Sequence, residues 1–295
     1  MRNVSKGSVI AIVAPSGRLS VEVLHRAIET LTQEGYKVEV MPHVDGYGTS
    51  VFSATDEQRA SDLRQALERE DIDAVMCARG GYGAMRTLQL LPREVIENCG
   101  KWLVGFSDIT VLHSALSKAG VPSVHGPMLK HIATHGFSHD DVRNTFAILR
   151  GESLTIEVPR HELSRYGRAE GVLVGGNLSI IYSLRGTPAE TDYRGKVLFI
   201  EDLCEYNYHI DRMMQNLRYS GVLKQLSGLI VGQFTDMKDG ATPFGRSAYE
   251  IIHEAVSEYD YPVLFGYPAG HADEENQPLV MGRTCRIDDN RVIFA

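Results

Sequence analysis

The segment 101–110 contains the residue best placed to act as a nucleophile. The apolar residues 102–106 lead directly into Ser107, and a helical pattern begins at Ile109. A serine at such a strand-to-helix turn has its hydroxyl exposed at the carboxyl end of a sheet, as in a nucleophile elbow. The N–H of Asp108 would lie at the helix N-terminus and could stabilise an oxyanion. Helix capping by Ser107 or Asp108 is the alternative, and the aspartate in place of the elbow's usual second glycine favours it.

A glycine-rich loop, residues 79–83, also falls between a strand and a helix. Glycines allow backbone N–H groups to approach a ligand closely. A dinucleotide fingerprint fails because Arg86 occupies its third glycine position, and no Gly-Lys-Ser/Thr of a P-loop follows. The carboxyl ends of parallel strands meet at one edge of a sheet, which is where open sheets bind ligands. The loop is therefore predicted to lie beside Ser107 and to bind an oxyanion or the substrate.

Two further segments offer a general base and an acid to orient it. His271 lies just after a strand, in the loop 266–273, whose glycines and proline fix the backbone. A surface turn histidine is the alternative. Glu201 and Asp202 end the apolar strand 196–200 and point to opposite faces. One of them can face a site, and Asp202 is expected to be the solvated strand end or a cap of the next segment.

A histidine-rich stretch raises the question of a metal site. His131 and His135 have the i, i+4 spacing of two ligands on a helix face, and His125 and His139 are close in sequence. The glutamate of H-E-x-x-H is missing, and Gly136 interrupts the helix. A polar, partly exposed histidine stretch is therefore favoured over zinc binding, and the predicted site contains no metal.

The elements that position these residues are read from hydrophobic periodicity. Short apolar runs alternate with helical patterns over the first 130 residues, which predicts a layered α/β domain with a parallel sheet and crossover helices. The second half is predicted as a smaller α+β domain. The expected division is an N-terminal domain at 1–150, a linker at 151–168 and a C-terminal domain at 169–295. The predicted strands are 9–14, 37–41, 74–78, 102–106, 196–200, 229–234 and 263–265, followed by a hairpin at 286–294. The predicted helices are 56–68, 84–91, 109–119 and 210–218, preceded by a helix whose apolar face includes Leu24 and Leu31 and which ends at Gly35.

Composition excludes several classes of partner. The 295 residues are 43% hydrophobic and carry a net charge of -8 without any block of Lys or Arg, so neither nucleic acid nor a membrane surface is an expected partner. No run approaches the ~20 apolar residues of a membrane span. The four cysteines are far apart and form no C-x-x-C pair, as expected of reduced thiols. A soluble, cytoplasmic protein is predicted.

Seven motifs, taken in chain order, resemble the LD-carboxypeptidase family of serine peptidases, which also includes the microcin C immunity peptidase. The similarity covers nearly the whole chain. The motifs are residues 14–17, 79–83, 105–110, 175–178, 200–202, 210–212 and 270–271. Any one of them is weak evidence, whereas seven in the family's order are specific.

The resemblance implies a mechanism and an arrangement. Ser107 would be the nucleophile on an N-terminal α/β domain, and Glu201 and His271 would complete the triad from a C-terminal domain across a cleft. The oxyanion hole would consist of the backbone N–H groups of Gly81 and Asp108. The family requires neither a cofactor nor a metal.

The family's usual substrate is the murein tetrapeptide, cut between the L-centre of its diamino acid and the terminal D-alanine during cytoplasmic cell-wall recycling. A carboxypeptidase needs a cation for the terminal carboxylate, and Arg79 is the candidate. A salt bridge holding the glycine loop is the alternative role of Arg79. Family members are often homodimers, so a homodimer is an expectation for this chain.

The alternative activity is that of the immunity peptidases, which hydrolyse aminoacyl-nucleotide or peptidyl-nucleotide antibiotics with the same triad. Those relatives commonly stack the nucleobase on a tryptophan of the C-terminal domain, whereas Trp102 is the only tryptophan here and precedes Ser107. Tyr206 or Tyr208 could substitute. A metal-dependent hydrolase and a non-catalytic binding module are the rivals from other classes.

Overall fold

The computed structural model describes residues 1–45 and 50–294, which fold into two compact units. The first unit comprises Met1–Glu152 and Gln277–Gly282, and the second comprises Ser153–Asn276 and the chain from Arg283 onward. The chain therefore passes from the second unit into the first and back again near its end. None of the helices in the described residues is both long and apolar enough to span a membrane.

The first unit is a six-stranded sheet with helices between its strands. The strand order is β11-β5-β4-β3-β1-β2, in which only β11 runs antiparallel to its neighbour. These strands are β1 (Val9–Val13), β2 (Lys37–Val40), β3 (Ala74–Cys77), β4 (Trp102–Gly105), β5 (Ser123–His125) and β11 (Leu279–Met281). The helices are α1 (Val21–Gln33), α2 (Asp56–Glu68), α3 (Ala84–Leu88), α4 (Arg93–Glu97), α5 (Thr110–Lys118), α6 (Leu129–His135) and α7 (Asp140–Leu149). The central strands β3 and β4 are buried throughout, as expected of parallel strands covered on both faces.

The second unit is built on a seven-stranded mixed sheet. Its order is β10-β9-β8-β7-β12-β13-β6, parallel from β10 to β7 and antiparallel from β7 to β6. These strands are β6 (Leu154–Glu157), β7 (Arg168–Asn177), β8 (Val197–Leu203), β9 (Gly228–Thr235), β10 (Val263–Phe265), β12 (Thr284–Asp288) and β13 (Arg291–Phe294). The helices are α8 (Leu178–Leu184), α9 (Asn207–Tyr219) and α10 (Ala248–Ala255), and their apolar faces join the core of this unit.

The predicted fold class is confirmed, since a layered α/β unit with a parallel sheet is followed by a unit that mixes helices and strands. The division of the chain differs from the predicted one, and residues 151–152 of the expected linker lie in the first unit. Residues 153–168 of the expected linker lie in the second unit, because Leu154–Glu157 alternates buried and exposed residues and pairs with β13. Residues Gln277–Gly282 lie in the first unit, because β11 pairs with β5.

Candidate active site

Ser107 lies in a tight turn between β4 and α5. It follows Phe106 and opens a short 3-10 helix, Ser107–Ile109, that continues into α5. Its φ is +64°, a left-handed conformation that is uncommon for a residue with a side chain and marks strain held by its surroundings. A strained strand-turn-helix of this kind is the backbone of a nucleophile elbow, which presents the hydroxyl at the end of the sheet.

The glycine loop lies directly against Ser107. A Cβ placed on Gly80 would come within 2.9 Å of Ser107 Cβ and 3.1 Å of its Oγ, so only glycine fits this position. Gly81 has φ +97°, and Gly17 N–H donates a 2.9 Å hydrogen bond to the Gly80 carbonyl, which holds the loop from the other side. The structure thus brings together Ser107 and the loop that the sequence placed at the same sheet edge.

Asp108 has a role that the sequence did not reveal. Its buried carboxylate accepts hydrogen bonds from Ser16 Oγ at 2.6 Å and from Ala84 N–H at 2.8 Å, tying the residues after β1 and the start of α3 to the elbow. Burial raises the pKa of the Asp108 carboxyl, and these hydrogen bonds partly oppose the rise. Its N–H lies in the first turn of the 3-10 helix, where backbone donors have no intrahelical acceptor.

Arg79 is exposed at the start of the glycine loop. Its Nη1 donates a 3.1 Å hydrogen bond to the carbonyl of Arg18. The guanidinium therefore ties two loops of the first unit through a backbone carbonyl. A guanidinium has five N–H donors, so one such bond leaves capacity for a ligand carboxylate.

In the second unit, His271 and Glu201 form a close pair. His271 Nδ1 lies 2.7 Å from Glu201 Oε2. Glu201 is fully buried and lies near the end of β8. A carboxylate at Nδ1 favours the tautomer with the proton on Nδ1 and leaves Nε2 unprotonated, as a general base requires. Burial lowers the pKa of His271, but the charge and hydrogen bond of Glu201 and the charge of Asp202 outweigh burial, so the pKa lies above its ordinary value.

Asp202 differs from its expected role as a solvated strand end. It is only 1% exposed, and its carboxylate accepts hydrogen bonds from Asn177 Nδ2 and Ser179 N–H, both at 2.9 Å. These contacts hold the N-terminus of α8 against β8, which is why the side chain is buried. The pKa of Asp202 is raised to about 7, mainly because the carboxyl is buried and in second place because Glu201 carries a negative charge.

Gln233 on β9 holds the loop that carries His271, and sequence reasoning missed it. Its Oε1 accepts a 3.0 Å hydrogen bond from Ala272 N–H, and its Nε2 donates one of 3.2 Å to the Glu275 carbonyl. Its backbone N–H also donates to the Ala269 carbonyl at 2.9 Å. Because the bonds join residues distant in sequence, no local pattern could have identified Gln233.

The histidine-rich stretch is the place where described side chains could hold a metal ion. His131, His139 and Asp141 each offer a ligand atom within 4.8 Å of the others. His125 lies apart from them, buried at the end of β5 with its ring near those of Phe106 and His113.

Comparison with known proteins places both halves of the chain in one family. Residues 10–126 match the model of the LD-carboxypeptidase N-terminal domain, and residues 170–287 match that of the C-terminal domain. A relative from Bacillus subtilis strain 168 with the name "Probable murein peptide carboxypeptidase" is 33% identical over 90% of this chain and 85% of its own.

Two solved structures share the fold. The muramoyltetrapeptide carboxypeptidase of Oxalobacter formigenes has a TM-score of 0.87 at 30% identity, with 97% of each chain covered. The microcin C7 self-immunity protein MccF, in complex with aspartyl sulfamoyl adenosine, has a TM-score of 0.85 at 22% identity, with 100% of this chain and 97% of the other covered.

Proposed function

The chain belongs to the LD-carboxypeptidase family and is a serine-type carboxypeptidase, and on this premise we propose that it releases the terminal D-alanine of murein tetrapeptide during cell-wall recycling. The observation that carries the proposal is the left-handed Ser107, held against Gly80 at the end of β4. The scissile bond is the one between the L-centre of the diamino acid and D-alanine.

The proposed catalytic roles are supported by the local geometry within each unit and by the family's motifs. His271 Nε2 accepts the proton of Ser107 Oγ as that oxygen attacks the carbonyl carbon, and Glu201 stabilises the imidazolium through Nδ1. The N–H groups of Gly81 and Asp108 hold the oxyanion. His271 then gives the proton to the amine of the departing D-alanine. Water, activated by the same histidine, hydrolyses the acyl-enzyme.

Arg79 is proposed to bind the terminal carboxylate of the substrate. Its exposure and its position one residue before Gly80, which contacts Ser107, support this role. Arg79→Ala is expected to raise KM for the tetrapeptide more than it lowers kcat, because the lost interaction is with a group that does not react. Arg93→Ala, which removes an exposed arginine side chain from α4 of the same unit, is the control. An unchanged KM in Arg79→Ala would remove this residue from the site.

Released D-alanine measured by mass spectrometry tests the activity. The purified parent protein is incubated with murein tetrapeptide and a chelator, beside Ser107→Ala and the control Ser61→Ala, whose serine lies exposed on α2. Release by the parent and Ser61→Ala but not by Ser107→Ala is expected. Release that survives in Ser107→Ala would overturn the nucleophile, and no release by folded parent protein would overturn the substrate.

A second candidate activity is hydrolysis of aminoacyl-nucleotide or peptidyl-nucleotide antibiotics, and one surface feature favours it. Tyr206 and Tyr208 are 41% and 48% exposed, with ring centroids 5.5 Å apart, shortly after the strand that carries Glu201. Exposed aromatic faces can stack a nucleobase. Trp102 cannot, since it is only 3% exposed. Turnover of aspartyl sulfamoyl adenosine that is weakened by Tyr206→Ala but not by Tyr219→Ala would support this activity, and absence of turnover in the parent would exclude it.

The proposal extends to location and assembly. A cytoplasmic location agrees with the four free thiols, of which Cys77, Cys99 and Cys285 are buried, and cell fractionation tests it. The homodimer expected from the family stays a prediction, and light scattering coupled to size exclusion measures it.

A further inference from the structure

We propose that the first unit contains a binding site for a divalent transition-metal ion such as Zn²⁺, formed by His131, His139 and Asp141. The site joins α6 to the start of α7, and it takes no part in the peptidase mechanism described above. The predicted role of the ion is structural.

The ligands converge on one buried carboxylate. Asp141 is fully buried, with His139 Nδ1 2.7 Å from its Oδ1 and His131 Nε2 2.5 Å from its Oδ2. The His131 nitrogen is buried, yet despite this short distance it forms no aligned hydrogen bond with any of the residues described. A buried nitrogen that faces a carboxylate without an aligned hydrogen bond is a polar group whose bonding capacity is not used by the protein.

The spacing of the ligand atoms suits a small cation. With bonds of about 2.1 Å, the ligands of a tetrahedral zinc ion lie roughly 3.4 Å from one another. The distances from the His131 and His139 nitrogens to the Asp141 oxygens, 2.5 and 2.7 Å, are shorter than this value. The three ligand atoms all lie within 4.8 Å of one another, a limit that is longer than this value. An entering ion therefore requires side-chain shifts of about one ångström.

The chemistry of the surroundings selects the type of ion. Two imidazoles and a carboxylate suit zinc, nickel, cobalt or copper, whereas calcium and magnesium prefer oxygen ligands alone. A third imidazole borders the same point, because the ring centroid of His135 lies 4.4 Å from that of His131 and 4.8 Å from that of His139. Side-chain exposures of 12% for His131 and 35% for His139 leave a path for the ion from solvent.

Zinc binding and thermal stability test the site independently of the peptidase activity. Tag-free, full-length protein is stripped with a chelator, exchanged into chelator-free buffer and titrated with zinc chloride by calorimetry. One zinc ion per chain and a rise in Tm are expected, because an ion that binds the native state selectively stabilises it. Cobalt chloride in place of zinc should give the visible absorption of a tetrahedral site.

The variants are His139→Ala, whose side chain is partly exposed, and Asp141→Asn. Each should weaken zinc binding by at least about 10- to 100-fold, the loss typical even of a supporting partner, and should abolish the rise in Tm. The control is His43→Ala, which breaks the His43–Asp62 pair of the same unit, where Nδ1 and Oδ1 lie 2.8 Å apart. Absence of zinc binding in the parent, or unchanged binding in folded His139→Ala, would refute the site without bearing on D-alanine release.

Discussion

Glu201 controls the protonation of the proposed base. The pKa of His271 is raised chiefly because the charge and hydrogen bond of Glu201 outweigh the opposing effect of burial. A general base must be neutral, so activity should be lost as pH falls through this raised pKa, at a higher pH than for an ordinary histidine.

Glu201→Gln should therefore have two effects. The acidic limb of the kcat/KM profile should move to lower pH, because the pKa of His271 falls when the carboxylate is removed. The maximal rate should fall, on the order of 10⁴-fold, since an amide no longer enforces the productive tautomer. The pH–rate profile of purified enzyme measures both effects.

Glu205→Gln is the matched control for that experiment. Glu205 Oε2 lies 2.6 Å from His209 Nδ1, so the same type of pair is altered at the start of α9 in the same unit. Its pH–rate profile should match that of the parent. An acidic limb that stays in place in Glu201→Gln would show that His271 is not the titrating base.

Gly80 is the position where a single added methyl group should displace Ser107, the proposed nucleophile. An added Cβ would meet Ser107 Cβ at 2.9 Å, closer than such atoms approach in real structures. Displacing the serine by about 1 Å should lower kcat/KM about 10²-fold. Gly100→Ala, with open space around its Cβ in the same unit, should retain activity. Equal activities of Gly80→Ala and the parent would argue against Ser107 as the attacking group.

At the scale of elements, the His271 loop depends on β9 through the side chain of Gln233. Gln233→Ala removes the hydrogen bonds to the N–H of Ala272 and the carbonyl of Glu275, both of which are half-buried, so each loss should cost less than the ~1–3 kcal/mol of a fully buried group. We expect faster hydrogen exchange in residues 269–276 and a lower kcat. Gln215→Ala, which removes an exposed contact on α9, serves as the control. Unchanged exchange in this loop would refute the role of Gln233.

The sequence predicted the elements that carry long, regular patterns. Helix α2 and strand β10 have the predicted bounds, and the parallel strands that lead to Ser107 and Glu201 lie where apolar runs placed them. The short strands β5 and β11 escaped notice because three residues show no periodicity. Strand β7 was missed because its first half is exposed and polar, and its pairing with β12 depends on residues far along the chain.

The candidate site could be predicted only in part, because some of its contacts also join residues that are far apart in the chain. Strand ends and family motifs singled out Ser107, Glu201 and His271, whose types and local contexts are visible in the sequence. The side-chain contacts of Asp108 and Gln233 depend on tertiary structure, so no spacing rule reveals them.

At the scale of the whole molecule, the first unit needs a segment from the far end of the chain. Without β11, residues 1–152 would present β5 as an uncovered edge, and exposed edges promote association. A fragment 1–152 should aggregate, whereas the same fragment joined by a short linker to 277–282 should be monomeric at equal concentration. Analytical ultracentrifugation compares the two, and a well-behaved, monomeric 1–152 fragment would show that β11 is dispensable.

The late position of β11 also bears on protein synthesis. Domains commonly fold in order as they leave the ribosome, the N-terminal one first. Here the unit that carries Ser107 lacks its sixth strand until Leu279–Met281 is made, and the other unit lacks β12 and β13 until residues 284–294 are made. Neither sheet can therefore be completed before most of the other unit has been synthesised. The two sheets are expected to complete their strand pairing within the same short stretch of synthesis, rather than one domain after the other.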